Sequence, residues 1–166
     1  MRTILIPLIL TSFLSTLSAQ VLKLNRGDIE LAGFGQFDAG NKTLELRLGT
    51  FAEDYRQIGT NIVYQDSNFA ERISFSLYVL QLFETRTYFL PYVGAALGFG
   101  TLDISGGSDK SGAEFYLIGG LKYYMSDNVS LNSELHYGFG SSETFLGDRK
   151  LESSEISLRI GIGYIF

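Results

Sequence analysis

Apolar and polar residues alternate one for one along most of this chain, the period of a strand whose two faces meet different surroundings. Eight segments carry the alternation: Asp28 to Asp38, Thr43 to Ala52, Gln57 to Gln65, Arg72 to Phe83, Tyr88 to Ile104, Ala113 to Met125, Val129 to Gly140 and Leu151 to Phe166. Turn-forming runs separate several of them, among them Ala39-Gly40-Asn41, Asp66-Ser67-Asn68, Ser105 to Asp109 and Ser126-Asp127-Asn128. No helical period competes with this pattern, and no repeat or low-complexity linker divides it. An all-β domain is expected.

The charges inside these segments keep to one parity. Glu30 shares a face with Ala32, Phe34 and Gln36, opposite Ile29 and Leu31; Glu45 and Arg47 lie opposite Leu44, Leu46 and Leu48. Arg72 is set against Ile73 and Phe75, Glu114 and Lys122 against Phe115, Leu117 and Leu121, Glu134 and His136 against Leu135 and Tyr137, and Arg159 against Leu158, Ile160 and Ile162. The charged face is also the small face, carrying Gly94, Ala96, Gly98, Gly100, Gly138, Gly140, Gly161 and Gly163. Glycines belong inside a narrow barrel, where room for side chains is short, whereas on a soluble exterior they would only weaken the strands. The prediction is an eight-stranded antiparallel up-and-down transmembrane β-barrel, polar within and apolar without. Each segment is long enough, since a tilted spanning strand takes about 9 to 11 residues. A soluble carrier barrel of the lipocalin type also alternates, but the glycine-rich charged face argues against it. So does the lack of any Trp, because a lipocalin's first strand carries a Gly-x-Trp.

The N-terminal segment has another character. Met1 and Arg2 precede an apolar run from Ile4 to Leu14, and Leu17-Ser18-Ala19 offers small residues for cleavage. Residues 1–19 are therefore expected to be a secretory signal peptide, too short to cross a bilayer as a helix, and residues 20–166 the barrel domain. Arg2 is the only charge in the leader, so its removal moves the net charge from −5 to −6. That sign disfavours nucleic acid, which calls for a basic stripe. With no Cys in the chain, neither a disulfide nor a Cys-linked lipid anchor is available. The 13 Phe and 10 Tyr cluster near segment ends, as interfacial girdles would place them. Phe51, Tyr55, Phe83, Tyr88, Phe89, Tyr123, Tyr124, Tyr164 and Phe166 are assigned to the periplasmic edge, and Phe37, Tyr64, Phe69, Phe99, Phe115 and Phe139 to the outer one.

On strand count, alternation and its last segment, the chain resembles the small bacterial outer-membrane β-barrels, notably the eight-stranded barrel of outer-membrane protein A. In that last segment Arg159, Gly161, Tyr164 and Phe166 match the polar, glycine and two aromatic positions of the signal read by the barrel-assembly machinery. The resemblance implies outer-membrane lipid and that machinery as partners and the bacterial outer membrane as location. Nothing follows Phe166 here, so a peptidoglycan-binding periplasmic domain, and with it tethering to the cell wall, is not implied.

The groups that could carry chemistry are the interior ionisable ones: Glu30, Glu45, Glu114 and Glu134 against Arg47, Arg72, Lys122 and Arg159, with His136 among them. A narrow interior demands near balance, because an unpaired buried charge costs several kcal/mol. The expected arrangement is a salt-bridge network that plugs the lumen, with Arg159 and Glu134, on neighbouring strands, as candidates for a direct or network contact. The alternative is a small passive channel for water or ions. His136 has no Asp or Ser at a spacing that completes a catalytic site, and one His without Cys makes no transition-metal site. No enzyme activity, cofactor or metal is expected. The barrel is expected to be a monomer with a structural or cell-surface interaction role, any extracellular partner meeting the 141–154 loop and its Phe145-Leu146 pair.

Overall fold

The computed structural model describes residues 24–38, 41–146 and 151–166. The expected signal peptide, the Ala39-Gly40 turn and residues 147–150 lie outside them. Eight long strands form a closed antiparallel barrel: β1 (Ile29–Asp38), β2 (Asn41–Glu53), β3 (Arg56–Ser67), β4 (Ala70–Leu82), β5 (Phe89–Ile104), β6 (Lys110–Tyr124), β7 (Val129–Gly140) and β10 (Ser154–Ile165). Each pairs with its neighbours in sequence, and β10 closes onto β1. Both chain termini of the barrel therefore lie at one end, here the terminal end, and the connections 68–69, 105–109 and 141–153 lie at the other, the loop end.

The final segment departs from the expectation of one strand over Leu151 to Phe166. β9 (Leu151–Glu152) is a separate strand that pairs with β8 (Phe145–Leu146), and β10 begins at Ser154. The cause is the apolar pair Phe145-Leu146, which is buried at the barrel mouth and holds its own short hairpin there.

The parity of the sequence becomes an inside-out protein. Along β4 burial alternates at every residue from Ala70 to Val79, with Arg72 fully buried and Ile73, Phe75 and Leu77 about half exposed. The same outward apolar row recurs as Leu44-Leu46-Leu48 on β2 and as Ile156, Leu158, Ile160 and Ile162 on β10. A continuous belt of this kind is far larger than the apolar patches soluble monomers tolerate, and it suits hydrocarbon. No helix among the described residues is long and apolar enough to cross a membrane.

Inward glycines make room for inward rings. A Cβ on Gly120 would fall 2.5 Å from Tyr92 Cζ, one on Gly161 2.5 Å from Phe34 Cδ1, and one on Gly138 2.9 Å from Tyr116 Cε1. Each large lumen side chain thus lies across a strand that gives it space.

Candidate functional site: the charged lumen

Strand alternation aims the ionisable residues inward, and the barrel's small diameter brings opposite walls within side-chain reach. The centre is built on Arg47. Its guanidinium donates twice to Glu134, at 2.6 and 2.8 Å, and twice to Glu45 Oε1, at 2.7 and 3.1 Å. The rings of Phe34 and Tyr78 lie 4.5 and 5.0 Å from it. Glu45 also accepts from Asn61 Nδ2 at 2.9 Å and from Arg159 at 2.5 Å, and Arg159 donates in turn to Glu155 at 3.0 Å. Glu134 is further held by the Tyr92 hydroxyl and by His136 Nε2 at 2.6 Å. A bidentate, ring-flanked guanidinium between two carboxylates is among the stronger ways to hold buried charge.

Toward the loop end, Arg72 donates to both oxygens of Glu114, at 3.2 and 2.6 Å, to Gln65 Oε1 at 2.6 Å and to the Tyr116 hydroxyl at 2.5 Å. The Phe145 ring closes over it at 4.9 Å. Toward the terminal end, Lys122 is paired with Glu30, which also accepts from Gln57 Nε2 at 2.7 Å and from Ser130 Oγ at 3.4 Å. All nine expected lumen groups are therefore brought inside, in three clusters. Arg159 and Glu134 are register partners on β10 and β7 but hold different counterparts, Glu45 and Glu155 for the one and Arg47 for the other. Of the direct or network contact expected of those two, the structure shows the network form, Arg159 to Glu45 to Arg47 to Glu134, because Arg47 reaches across the lumen with a fork that takes both Glu134 oxygens.

Several of their partners carry the same inward parity. Glu155 shares its face with Ser157 and Arg159, Gln57, Asn61 and Gln65 share one face of β3, and Tyr92 and Tyr116 lie on the glycine face and not the apolar one. All but Glu155 are neutral, and a search for charges overlooks them.

Apolar residues are buried at both ends of the lumen. At the terminal end Leu24, Phe51, Leu82, Leu90, Tyr124 and Ile165 are buried in one cluster. Phe51 and Tyr124 therefore leave the interfacial girdle assigned to them. They are on the inward parity of β2 and β6, 0 % and 1 % exposed. At the loop end Leu146 packs with Ala70 and Leu102. Phe145 lies edge-on to Tyr116 with centroids 5.9 Å apart, so this pair points into the mouth and not toward an outside partner. Of the terminal-signal residues, Arg159 and Gly161 face inward, while Tyr164 and Phe166 face outward with rings 4.9 Å apart at 71°.

In the terminal half of the lumen, five buried polar atoms among the described residues lack a hydrogen-bond partner: Gln57 Oε1, Tyr78 Oη, Tyr124 Oη and both amide atoms of Asn132. No three His, Cys, Asp or Glu among the described residues form a group able to hold a metal ion.

No protein-family model and no curated protein matches this sequence. Solved structures do match by shape. The N-terminal β-barrel domain of Pseudomonas aeruginosa OprF aligns over 87 % of this chain and 99 % of its own at 21 % identity, with a TM-score of 0.67. Neisserial surface protein A (NspA) aligns over 85 % and 95 % at 15 % identity and TM-score 0.62. A major outer membrane protein of Thermus thermophilus aligns over 84 % and 99 % at 14 % identity and TM-score 0.57. The shared feature is the eight-stranded barrel.

Proposed function

Starting from an eight-stranded β-barrel of the outer-membrane type, we propose that this chain is an integral protein of the bacterial outer membrane whose lumen is plugged, serving a structural or cell-surface interaction role and not catalysis. The observation that carries this reading is the lumen's closure: salt-bridge clusters cross its middle and apolar side chains seal both ends. A continuous water path needs all of these to move. In this reading the aromatic pair Tyr164 and Phe166 serves recognition by the barrel-assembly machinery, and outer-membrane lipid covers the apolar belt. The polar part of the 141–154 loop, with Ser141 and Glu143 exposed, is the surface open to an extracellular partner.

A second reading, a small passive channel for water or ions, draws on the unpartnered atoms of Gln57, Tyr78, Tyr124 and Asn132, which call for water inside the terminal half. Conductance of the purified full chain in planar bilayers separates the two. The plugged reading expects a silent membrane containing folded, heat-modifiable protein; steady ohmic conductance from the unaltered chain would put the channel first.

A further inference from the structure

The barrel's closing seam is paired over only part of its length. β1 and β10 pair from Glu30–Ile165 to Gly35–Ile160 and then part. Beyond that point, among the described residues, Gln36, Phe37 and Asp38 pair with β2 alone, and Ser154 to Arg159 pair with β7 alone. The other seven seams each run for 10 or more pairs. The open stretch is at belt depth, since Ile156 and Leu158 on its outward face are 72 % and 58 % exposed. Strand backbone there has no ladder partner among the described residues of the strand that would close the barrel.

Two further observations meet at this opening. On its lumen side, three buried polar atoms have no hydrogen-bond partner: Gln36 Oε1, Ser157 Oγ and Arg159 Nε. Ser157 is 5 % exposed and Arg159 1 %. On its membrane side, Gly33 and Gly35 present no side chain, so the wall is hollow between the ridges Leu44-Leu46 and Ile160-Ile162 that flank them in register. Two hollows of about 470 and 680 Å³ meet at these glycines, the larger reaching Gln36.

We propose that the β1–β10 seam binds a single-chain amphiphile with an uncharged head bearing hydroxyl and carbonyl groups. The tail lies along Gly33 and Gly35, and the head enters the open seam, accepting from Arg159 Nε and Ser157 Oγ and donating to Gln36 Oε1. An uncharged head fits because Arg159 is already answered by two carboxylates, Glu45 and Glu155, which an anionic head would have to approach. The proposal rests on the barrel lying in a bilayer, and the test separates the two.

The full chain is refolded into vesicles, where flotation and a heat-shifted band on SDS gels report the barrel without reference to any ligand. Monoolein is then added in an oligo-oxyethylene detergent and counted by native mass spectrometry, with lysophosphatidylglycerol as the anionic arm. One monoolein per barrel is expected. Gly33→Leu fills the groove outward, where a Cβ meets only a backbone oxygen at 4.0 Å; it should weaken binding about tenfold, the equivalent of two buried methylenes. Ser157→Ala should weaken it about fivefold, the loss of one hydrogen bond. Gly119→Leu, at an outward glycine of fully paired β6 with open space around it, should leave binding unchanged. Equal binding in all variants, or equal loss at Gly119→Leu, overturns the proposal. So does tighter binding of lysophosphatidylglycerol, or a dimer in place of the adduct, which would assign the open strands to a second copy. A chain that floats and shows the heat shift but takes no monoolein overturns this proposal alone, whereas one that does neither overturns the barrel reading with it.

Discussion

The middle of the lumen and the half below it are equally buried but differently satisfied. Around Arg47 every carboxylate meets a cation of the protein itself: Glu45 has two arginines, and Glu134 has one arginine with a tyrosine and a histidine. Around Asn132 the polar groups are mostly neutral, and five of their atoms are left without a protein partner. Cost explains the division. A buried charge without a counter-charge costs several kcal/mol and must be answered by the fold, whereas a neutral amide or hydroxyl can be served by an enclosed water.

The contrast is broken most severely by removing a cation. Arg47→Ala takes from buried Glu134 its arginine and from Glu45 one of its two, and should cost about 3 to 5 kcal/mol in urea unfolding from lipid vesicles. Lys122→Ala should cost less, because Glu30 keeps the Gln57 and Ser130 donors and lies beside groups that can hold water. Equal losses would show that the two halves do not differ. Next in size is the cap. Phe145→Ala should cost about 3 kcal/mol, the low end for burying a phenyl ring, since a surface loop can settle into the vacated mouth. The same unfolding experiment would refute the cap if the loss stayed below about 1 kcal/mol.

The smallest effect sharpens the comparison most finely. Tyr116 donates to Glu114 and accepts from Arg72, whereas Tyr124 Oη has no protein partner. Tyr116→Phe should therefore cost about 1.5 to 3 kcal/mol, as for hydrogen bonds to charged groups, and Tyr124→Phe less than about 0.5 kcal/mol. A Tyr124 loss as large as that of Tyr116 would mean that its hydroxyl is held as firmly by water as the other is by charge.

Strand number and facing were legible because a period of two admits one solution once one face is charged: the parity of Glu45 and Arg47, or of Glu134 and His136, settles which way every neighbour points. Membership of the lumen was legible for the same reason. Partners were not. Which carboxylate Arg47 holds depends on reach across the barrel, and sequence spacing says nothing of a residue on the opposite wall. Phe51 and Tyr124 lie near strand ends, where girdle aromatics belong, but their parity places both inside. The Phe145-Leu146 hairpin was hidden because two apolar residues amid a polar loop carry no period. The open stretch of the β1–β10 seam was equally illegible, since alternation continues through Gln36 and Arg159 although the ladder between them stops.

The central claim is that the charged middle is held by its own pairing. The most direct measurement is a double-mutant cycle on Arg47→Met and Glu134→Gln, read by urea unfolding of the barrel in lipid vesicles. Each single change should be costly and the pair together much less so, leaving a coupling energy of about 2 to 3 kcal/mol. Additive losses, with coupling below about 0.5 kcal/mol, would contradict the account.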